Sequence, residues 1–237
     1  MPDDLVISHL TAGYGHQSVL HDLSLRVEAG GLTALIGPNG HGKTTLLRAI
    51  SGLIPAKSGE IRLGAERISG LGAEAVVARG IVHVPQGDLL FPDMTVLENL
   101  RMGAFLPAAA RQERTVLDEV YALLPKLRDR GNQVARTLSG GERRMVGIGR
   151  GLMACGRVLM LDEPSLGLAP IVIEQIYEVI AGLRSAGRTI LLVEENALRA
   201  AAIADQVHLL DHGTLAWSGT GTELSSRPEL LETYLGV

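Results

Sequence analysis

The 237-residue chain has few aromatic residues and a single cysteine, and both shortages exclude classes of function. Two Phe, four Tyr and one Trp are fewer than a protein that stacks the bases of a nucleic acid would carry. The net charge of −4 agrees, because no excess of Lys and Arg is available for the phosphates of a polymer. The lone Cys155 excludes an internal disulfide framework and a zinc site built from several cysteines.

Long hydrophobic runs are also missing. No window approaches the ~18 uninterrupted apolar residues that a membrane-spanning helix needs, and the acidic start lacks the basic and apolar segments of a secretory signal. We therefore expect a cytoplasmic chain without a signal peptide, which remains free to bind a membrane partner. Apolar residues still make up 46% of the chain, enough for a substantial core.

Short apolar runs alternate with segments of helical spacing, a pattern that predicts a parallel sheet covered on both faces. Further strands are predicted over residues 5–10 and 18–27, a hairpin over 207–217 and a final helix over 228–235. Residues 88–155 show helical patterns without a strong strand signal. We therefore expect one α/β domain: a core of residues 1–87 and 156–237, with a mostly parallel sheet and an antiparallel part, and a helical insertion over 88–155. The buried strands of the parallel sheet are predicted at Leu32 to Ile36, Ile81 to Val84, Val158 to Leu161 and Thr189 to Val193.

The loop between the first of these buried strands and the next helix matches the phosphate-binding pattern G-x-x-x-x-G-K-[ST] in full. In such a loop, glycines let backbone N–H groups point at an anion, and the helix N-terminus adds partial positive charge. We expect Lys43 to hold the β- and γ-phosphates of a nucleotide, Thr44 to ligate Mg²⁺ and Thr45 to reach a nearer phosphate oxygen. The loop reads Gly37-Pro38-Asn39-Gly40-His41-Gly42-Lys43-Thr44.

Two carboxylates, Asp162 and Glu163, follow a later buried strand. A parallel strand delivers its C-terminal residues to the same edge of the sheet as the phosphate loop. We expect Asp162 to bind Mg²⁺ through water and Glu163 to polarise the attacking water. These two residues alone leave open another phosphate-loop enzyme, such as a small-molecule kinase.

A second helix start that suits an anion is predicted at Ser139-Gly140-Gly141-Glu142, after the helical region. Alone, this pattern is weak. In this order, and at this distance before the Asp162–Glu163 strand, it is strong. A nucleotide held by the first loop does not obviously need a second phosphate-facing helix start within the same chain.

Together these motifs resemble the ATP-binding cassette (ABC) ATPases over essentially the whole chain. The resemblance implies ATP hydrolysis with Mg²⁺ and argues against a kinase. It implies a head-to-tail dimer with a second ABC ATPase subunit, identical or different, in which the signature 138–142 of one subunit covers the γ-phosphate bound by the other. By the same resemblance, Tyr14 stacks on adenine, Gln86 contacts Mg²⁺ and water and senses a transmembrane partner, and the loop 165–168 crosses the dimer interface.

Residues 84–87, 90–100 and 192–197 resemble the shorter ATPase subunit of branched-chain amino-acid importers. That resemblance implies integral-membrane permease subunits as partners and a periplasmic or extracellular substrate-binding protein as an indirect partner. From the charge and the few aromatic residues, no nucleic acid is expected as a partner. It places the chain peripherally on the cytoplasmic face of the membrane. Urea and short-chain amide importers have nearly the same ATPase, and a soluble family member without a membrane partner is the third alternative.

Two features leave alternatives open. Glu195 stands where the family usually has a histidine that contacts the γ-phosphate, and a carboxylate there repels the phosphate unless it is protonated, bridged by a cation or turned away. Either a partner ATPase with a histidine carries more of the turnover, or Glu195 is simply tolerated. Leu90, Phe91 and Met94 form either an apolar groove that grips a permease helix or part of the core of the helical insertion.

Overall fold

The computed structural model describes residues 3–87, 89–230, 232 and 233, and the elements below lie within them. The strands are β1 (Leu5–Tyr14), β2 (Gln17–Val27), β3 (Leu32–Ile36), β4 (Ala56–Leu63), β5 (Glu66–Arg67), β6 (Ile81–Val84), β7 (Val158–Asp162), β8 (Thr189–Glu194), β9 (Gln206–Asp211) and β10 (Thr214–Gly219). The helices are α1 (Lys43–Ile50), α2 (Ala73–Ala78), α3 (Val96–Arg101), α4 (Pro107–Ala110), α5 (Glu113–Leu123), α6 (Pro125–Asp129), α7 (Gly140–Met153), α8 (Pro170–Ser185), α9 (Ala197–Ile203), α10 (Gly221–Ser225) and α11 (Pro228–Leu230). Short 3-10 turns cover Met102–Ala104 and Ala135–Thr137.

The strands form two sheets. A six-stranded sheet has the order β10-β9-β3-β8-β7-β6 and is parallel except for the antiparallel pair β9–β10. A four-stranded antiparallel sheet has the order β2-β1-β4-β5. The predicted fold class, a mostly parallel sheet with an antiparallel part, is confirmed.

The parallel sheet is buried on both faces. Successive residues of each strand point to opposite sides, and the residues on both sides pack into apolar clusters. Leu191 and Val193 of β8 belong to an apolar cluster with α1 and the antiparallel sheet. Ile190 and Leu192 of the same strand belong to a second cluster with α8 and α9. Continuous apolar runs were therefore the correct signal for these strands.

The region 96–153 has an apolar cluster of its own, formed by α3, α5, α6 and α7. The helical patterns predicted over residues 88–155 form several shorter helices rather than one long helix. Pro107 begins α4, since a proline fits the first turn of a helix but interrupts an existing one. Thr95 begins α3 through a capping box with Glu98, in which each side chain accepts a hydrogen bond from the other residue's backbone N–H.

Strand β5 and helices α9 and α10 were not predicted. Helix α9 is rich in alanine and begins at Asn196, whose side chain accepts a hydrogen bond from the N–H of Arg199. Its sequence has little polar and apolar contrast, which removes the periodic signal. Of the helix predicted over 228–235, α11 covers Pro228–Leu230, while residues 231, 234 and 235 lie outside the described residues.

Five parallel strands end at one edge of the large sheet, and this edge collects the polar motifs. Strand β3 leads into the phosphate loop, β6 leads to Gln86, β7 ends at Asp162, β8 ends at Glu194 and β9 ends at Asp211. Ligands of open α/β sheets bind outside this edge.

Candidate active site

The phosphate loop needs glycine at its turns. Gly37 has a φ of 149°, and a Cβ there would lie 2.3 Å from the carbonyl oxygen of Leu210. Gly42 has a φ of 109° and precedes α1, whose first turn points its N–H groups into the site. The loop borders a cavity of about 240 Å³. The residues that line it are Asn39, Gly40, Gly42, Lys43, Thr44, Thr45, Gln86 and Glu163.

Lys43 supplies a buried positive charge at this cavity, with 4% of its surface exposed. Its Nζ donates to the carbonyl oxygens of Gly37, at 2.7 Å, and Pro38, at 3.2 Å. The same atom lies 3.4 Å from Oε1 of Glu163. The ammonium is therefore fixed between its own loop and the acidic strand end.

Glu163 is held in an uncommon backbone conformation, with a φ of 45°. For a residue with a Cβ, this conformation costs about 1–2 kcal/mol. The Glu163 N–H donates to the carbonyl oxygen of Val193 at 2.9 Å, which fixes the turn against β8. Its Oε2 accepts from Nε2 of Gln86 at 2.9 Å. The structure thus brings together the three residues predicted to be catalytic: Lys43, Gln86 and Glu163.

Asp162 and Thr44 provide oxygen ligands of the kind that Mg²⁺ prefers. Thr44 Oγ1 donates to Asp162 Oδ1 at 3.3 Å. Burial raises the pKa of Asp162, and the hydrogen bond from Thr44 opposes that rise. A divalent cation at these oxygens would favour the ionised carboxylate. The residues present therefore fit the metal predicted from the sequence.

Tyr14 lies at the end of β1 and is 45% exposed. Its hydroxyl accepts a hydrogen bond from Nη1 of Arg48 at 3.0 Å, which ties the ring to α1. The ring is thereby held near the helix that begins at the phosphate loop, with a face accessible to solvent.

The predicted second helix start forms a capping box at α7. Ser139 Oγ accepts from the N–H of Glu142 at 3.4 Å, and Glu142 Oε2 accepts from the N–H of Ser139 at 2.9 Å. Glu142 also pairs with Arg130 at 2.8 Å. Ser139, Gly141 and Glu142 line a cavity other than the one at the phosphate loop. The described part of one chain therefore does not bring the signature and the phosphate loop into one site.

A match to a family model identifies the family to which these motifs belong. Residues 20–166 match the model described as ABC transporter. The chain belongs to the ABC transporter family. It is an ATP-binding and ATP-hydrolysing member of that family.

Relatives and solved structures of the family cover nearly the whole chain. The chain is 44% identical over 223 residues to the high-affinity branched-chain amino acid transport ATP-binding protein BraG of Pseudomonas aeruginosa, covering 94% of this chain and 95% of BraG. It is 37% identical to the probable branched-chain amino acid transport ATP-binding protein LivF of Archaeoglobus fulgidus, covering 96% of this chain and 97% of LivF. The ADP conformation of MJ1267, an ATP-binding cassette of an ABC transporter, superposes with a TM-score of 0.84 at 27% identity over 98% of each chain. Among the described residues, the helices are too short or too polar to span a bilayer.

Glu195 of this ABC ATPase lies against the phosphate loop. Asn39 donates from Nδ2 to Glu195 Oε1 at 3.1 Å, so the carboxylate is not turned away from the loop. Its neighbour Glu194 is buried and accepts from the N–H of Ser165 at 3.1 Å. Burial raises the pKa of Glu194. The end of β8 therefore contacts both the phosphate loop and the loop that follows the acidic pair.

Sequence reasoning missed His83, a residue of β6 behind Asp162. Ser51 Oγ donates to the carbonyl oxygen of Leu47 and lies 3.1 Å from His83 Nδ1, so His83 Nδ1 donates to Ser51. His83 Nε2 faces Asp162 Oδ2 at 3.9 Å and has no hydrogen-bond partner among the described residues. Burial, with the positive charge of Arg48, lowers the pKa of His83 to about 4. The available signal was a histidine inside an otherwise apolar strand.

A cavity of about 180 Å³ lies next to Pro85. In the described part of the chain, Met102 and Phe105 line it, and Leu90, Phe91 and Met94 do not. Leu90 packs against the core of the helical region, as the second interpretation of these residues proposed.

Proposed function

We propose that this ABC ATPase powers a membrane importer for branched-chain amino acids, and that it works bound to permease subunits on the cytoplasmic face of the membrane. The observation that carries this proposal is the 44% identity to BraG, described as a branched-chain amino acid transport protein, over 94% of the chain. The likeness to LivF supports the same substrate class. A substrate-binding protein outside the membrane would deliver the amino acid to the permeases.

In the proposed reaction, the phosphate loop from Gly37 to Thr45 holds the phosphates of ATP and Lys43 neutralises the β- and γ-phosphates. Thr44 and Asp162, with Gln86, would hold Mg²⁺. When bound, Mg²⁺ neutralises phosphate charge and aligns the γ-phosphate. Glu163 polarises the attacking water, and Gln86, 2.9 Å from it, orients that carboxylate. Tyr14 stacks on adenine.

A head-to-tail dimer is supported by the position of the signature. Ser139, Gly141 and Glu142 border a cavity separate from that of the phosphate loop, a position that suits contact with the nucleotide of another subunit. We infer a head-to-tail pair with a second ABC ATPase subunit, with Ser139 to Glu142 facing the nucleotide of the other subunit. The loop that begins at Ser165 would cross between the two.

Permease contact would occur at the groove beside Pro85. Phe105 is 60% exposed and Met102 is 42% exposed, which is unusual for large apolar side chains that line one cavity. A permease helix would fit this groove between the nucleotide-binding core, residues 1–87 and 156–237, and the helical subdomain, residues 88–155. The separate apolar cluster of the helical region supports this division. Movement between the two parts would couple Gln86 to the permease.

The test is uptake by a deletion strain that lacks this chain. We expect the loss of labelled leucine, isoleucine and valine uptake, restored by the wild-type chain but not by Glu163→Gln. Loss of urea or acetamide uptake with normal leucine uptake would support the alternative importers instead. If neither is lost and the chain purifies without hydrophobic membrane subunits, the soluble alternative is correct.

A further inference from the structure

A group of metal-ligating side chains lies beside the phosphate loop, on the opposite side from Glu195. It consists of His41, Asp211 and His212, whose ligating atoms lie within 4.8 Å of one another. His41 Nδ1 is 2.9 Å from Asp211 Oδ1, and His212 Nε2 is 3.9 Å from the same oxygen. The two imidazole rings stack with their centroids 4.1 Å apart.

These distances suit a tetrahedral metal ion. With metal–nitrogen and metal–oxygen bonds of about 2.0–2.2 Å, ligand atoms stand about 3.3 Å apart around a tetrahedral centre. The two separations from Asp211 Oδ1 lie on either side of that value. Because the imidazole rings are stacked, the ring of His212 would have to rotate out of the stack to share an ion with His41. Two imidazoles and one carboxylate are ligands that Zn²⁺ accepts, and three protein ligands leave one position for water.

We propose that His41, Asp211 and His212 bind a transition-metal ion of the Zn²⁺ type at a site distinct from the Mg²⁺ of the nucleotide. His41 sits between two residues that line the phosphate cavity, Gly40 and Gly42, but is itself absent from that lining in the described residues. Its side chain points instead to Asp211. Imidazole ligands also disfavour Mg²⁺, which prefers oxygen.

Two of the three ligands, His41 and Asp211, are already held in place without an ion. The N–H of Gly213 donates to the carbonyl oxygen of His41 at 3.0 Å, which joins the phosphate loop to the turn between β9 and β10. The side chains of His41 and Asp211 are 19% and 27% exposed, whereas that of His212 is 82% exposed. The third ligand is therefore free to close over an ion that arrives from solvent.

The contacts at His41 Nδ1 also favour a cation. This atom lies 3.2 Å from the backbone N of His212, which can donate to it, and 2.9 Å from the acceptor Asp211 Oδ1. When Nδ1 accepts from the N–H, that hydrogen bond uses its single lone pair, and the carboxylate oxygen then lies 2.9 Å from a nitrogen that carries no proton. An ion between Nδ1 and Oδ1 would take the lone pair in place of the N–H and separate the two acceptors, and it would join the phosphate loop to the end of β9.

The experiment is metal titration of the untagged chain in chelator-free buffer. We expect one Zn²⁺ per wild-type chain by calorimetry, and Co²⁺ at the same site with the visible absorption of tetrahedral coordination. Loss of an outer-shell partner typically weakens metal binding about 10–100-fold, so His212→Ala or Asp211→Asn should weaken it at least about tenfold. His9→Ala is the matched control, because His9 forms an exposed pair with Asp22 without a third ligand in the described residues.

A second measurement uses stability, since an ion that binds only the folded state raises its unfolding temperature. Zn²⁺ should raise the unfolding midpoint of the wild-type chain and of His9→Ala, but not that of His212→Ala. Absence of stoichiometric Zn²⁺ binding, or equal affinity in the wild type and His212→Ala, would overturn the proposal.

Discussion

Asn39 Nδ2 donates a hydrogen bond to Glu195 Oε1 at 3.1 Å, which joins a carboxylate at the end of β8 to the phosphate loop. Asn39 also lines the phosphate cavity, so its partner carboxylate lies at the margin of the site where the γ-phosphate is expected. A negative charge at that position opposes the negative charge of the phosphate. The position of Glu195 therefore predicts slow ATP hydrolysis at this site.

Replacement of Glu195 by histidine should raise ATP turnover by the isolated chain by roughly tenfold, the equivalent of ~1.4 kcal/mol in the activation barrier. The charge repulsion is removed and an imidazole N–H is added. Glu195→Gln separates these two effects, because it removes the charge alone. Steady-state phosphate release measures both variants. A wild-type chain that is fully active alone and unchanged by both substitutions would show that Glu195 is tolerated and that no histidine-bearing partner is needed.

Glu163→Gln should lower kcat by about 100-fold or more, the usual contribution of a positioned general base. The amide keeps an oxygen that can accept from Gln86 but cannot take a proton from water. Since Glu163 also lies 3.4 Å from Lys43 Nζ, loss of its charge should leave ATP binding intact or make it tighter. Fluorescent-nucleotide titration and single-turnover hydrolysis separate the two effects. Turnover close to that of the wild type would exclude Glu163 as the base.

The sequence predicted those parts of the site whose residues are consecutive in the chain. The loop from Gly37 to Thr44 and the pair Asp162–Glu163 each follow a buried strand, and parallel strands bring them to one edge. The contact between Gln86 and Glu163 follows from the same rule. Such motifs do not give the order of the strands in the sheet. Only the structure shows that β3 pairs with β9 and that His41 therefore lies beside Asp211.

His83 should make the protein less stable in mild acid. Its pKa is about 4 when folded, against 6.5 for an ordinary histidine, so the unfolded chain binds more protons between these values. Stability falls as the pH decreases through that window, by about 3 kcal/mol in total. His83→Asn does not titrate, and it should lose less stability over the same range in urea unfolding. His9→Asn, at an exposed histidine, should keep the wild-type dependence. Equal pH slopes for His83→Asn and the wild type would contradict this assignment.

Phe105→Ala should weaken permease binding by at least about tenfold, as expected for an exposed aromatic anchor at an interface. ATP hydrolysis by the isolated chain should continue, while uptake falls. Phe91→Ala is the comparison, because its backbone is held by Asn99 and its ring lies 5.9 Å below the Arg150 guanidinium, outside the lining of the groove. A larger loss of uptake in Phe91→Ala than in Phe105→Ala would restore the groove first predicted at Leu90, Phe91 and Met94.

The two signature glycines should differ sharply in their tolerance of a methyl group. A Cβ on Gly141 would lie 2.5 Å from Val172 Cγ1 of α8, and β-branched valine has little rotamer freedom to move away. Gly141→Ala should therefore cost about 1–3 kcal/mol by overpacking. The nearest atom to a Cβ on Gly140 is Leu168 Cδ2 at 3.6 Å, an ordinary contact, so Gly140→Ala should be neutral or slightly stabilising in thermal unfolding. If both variants unfold at the wild-type temperature, α7 and α8 are not packed closely enough at Gly141 to require glycine there.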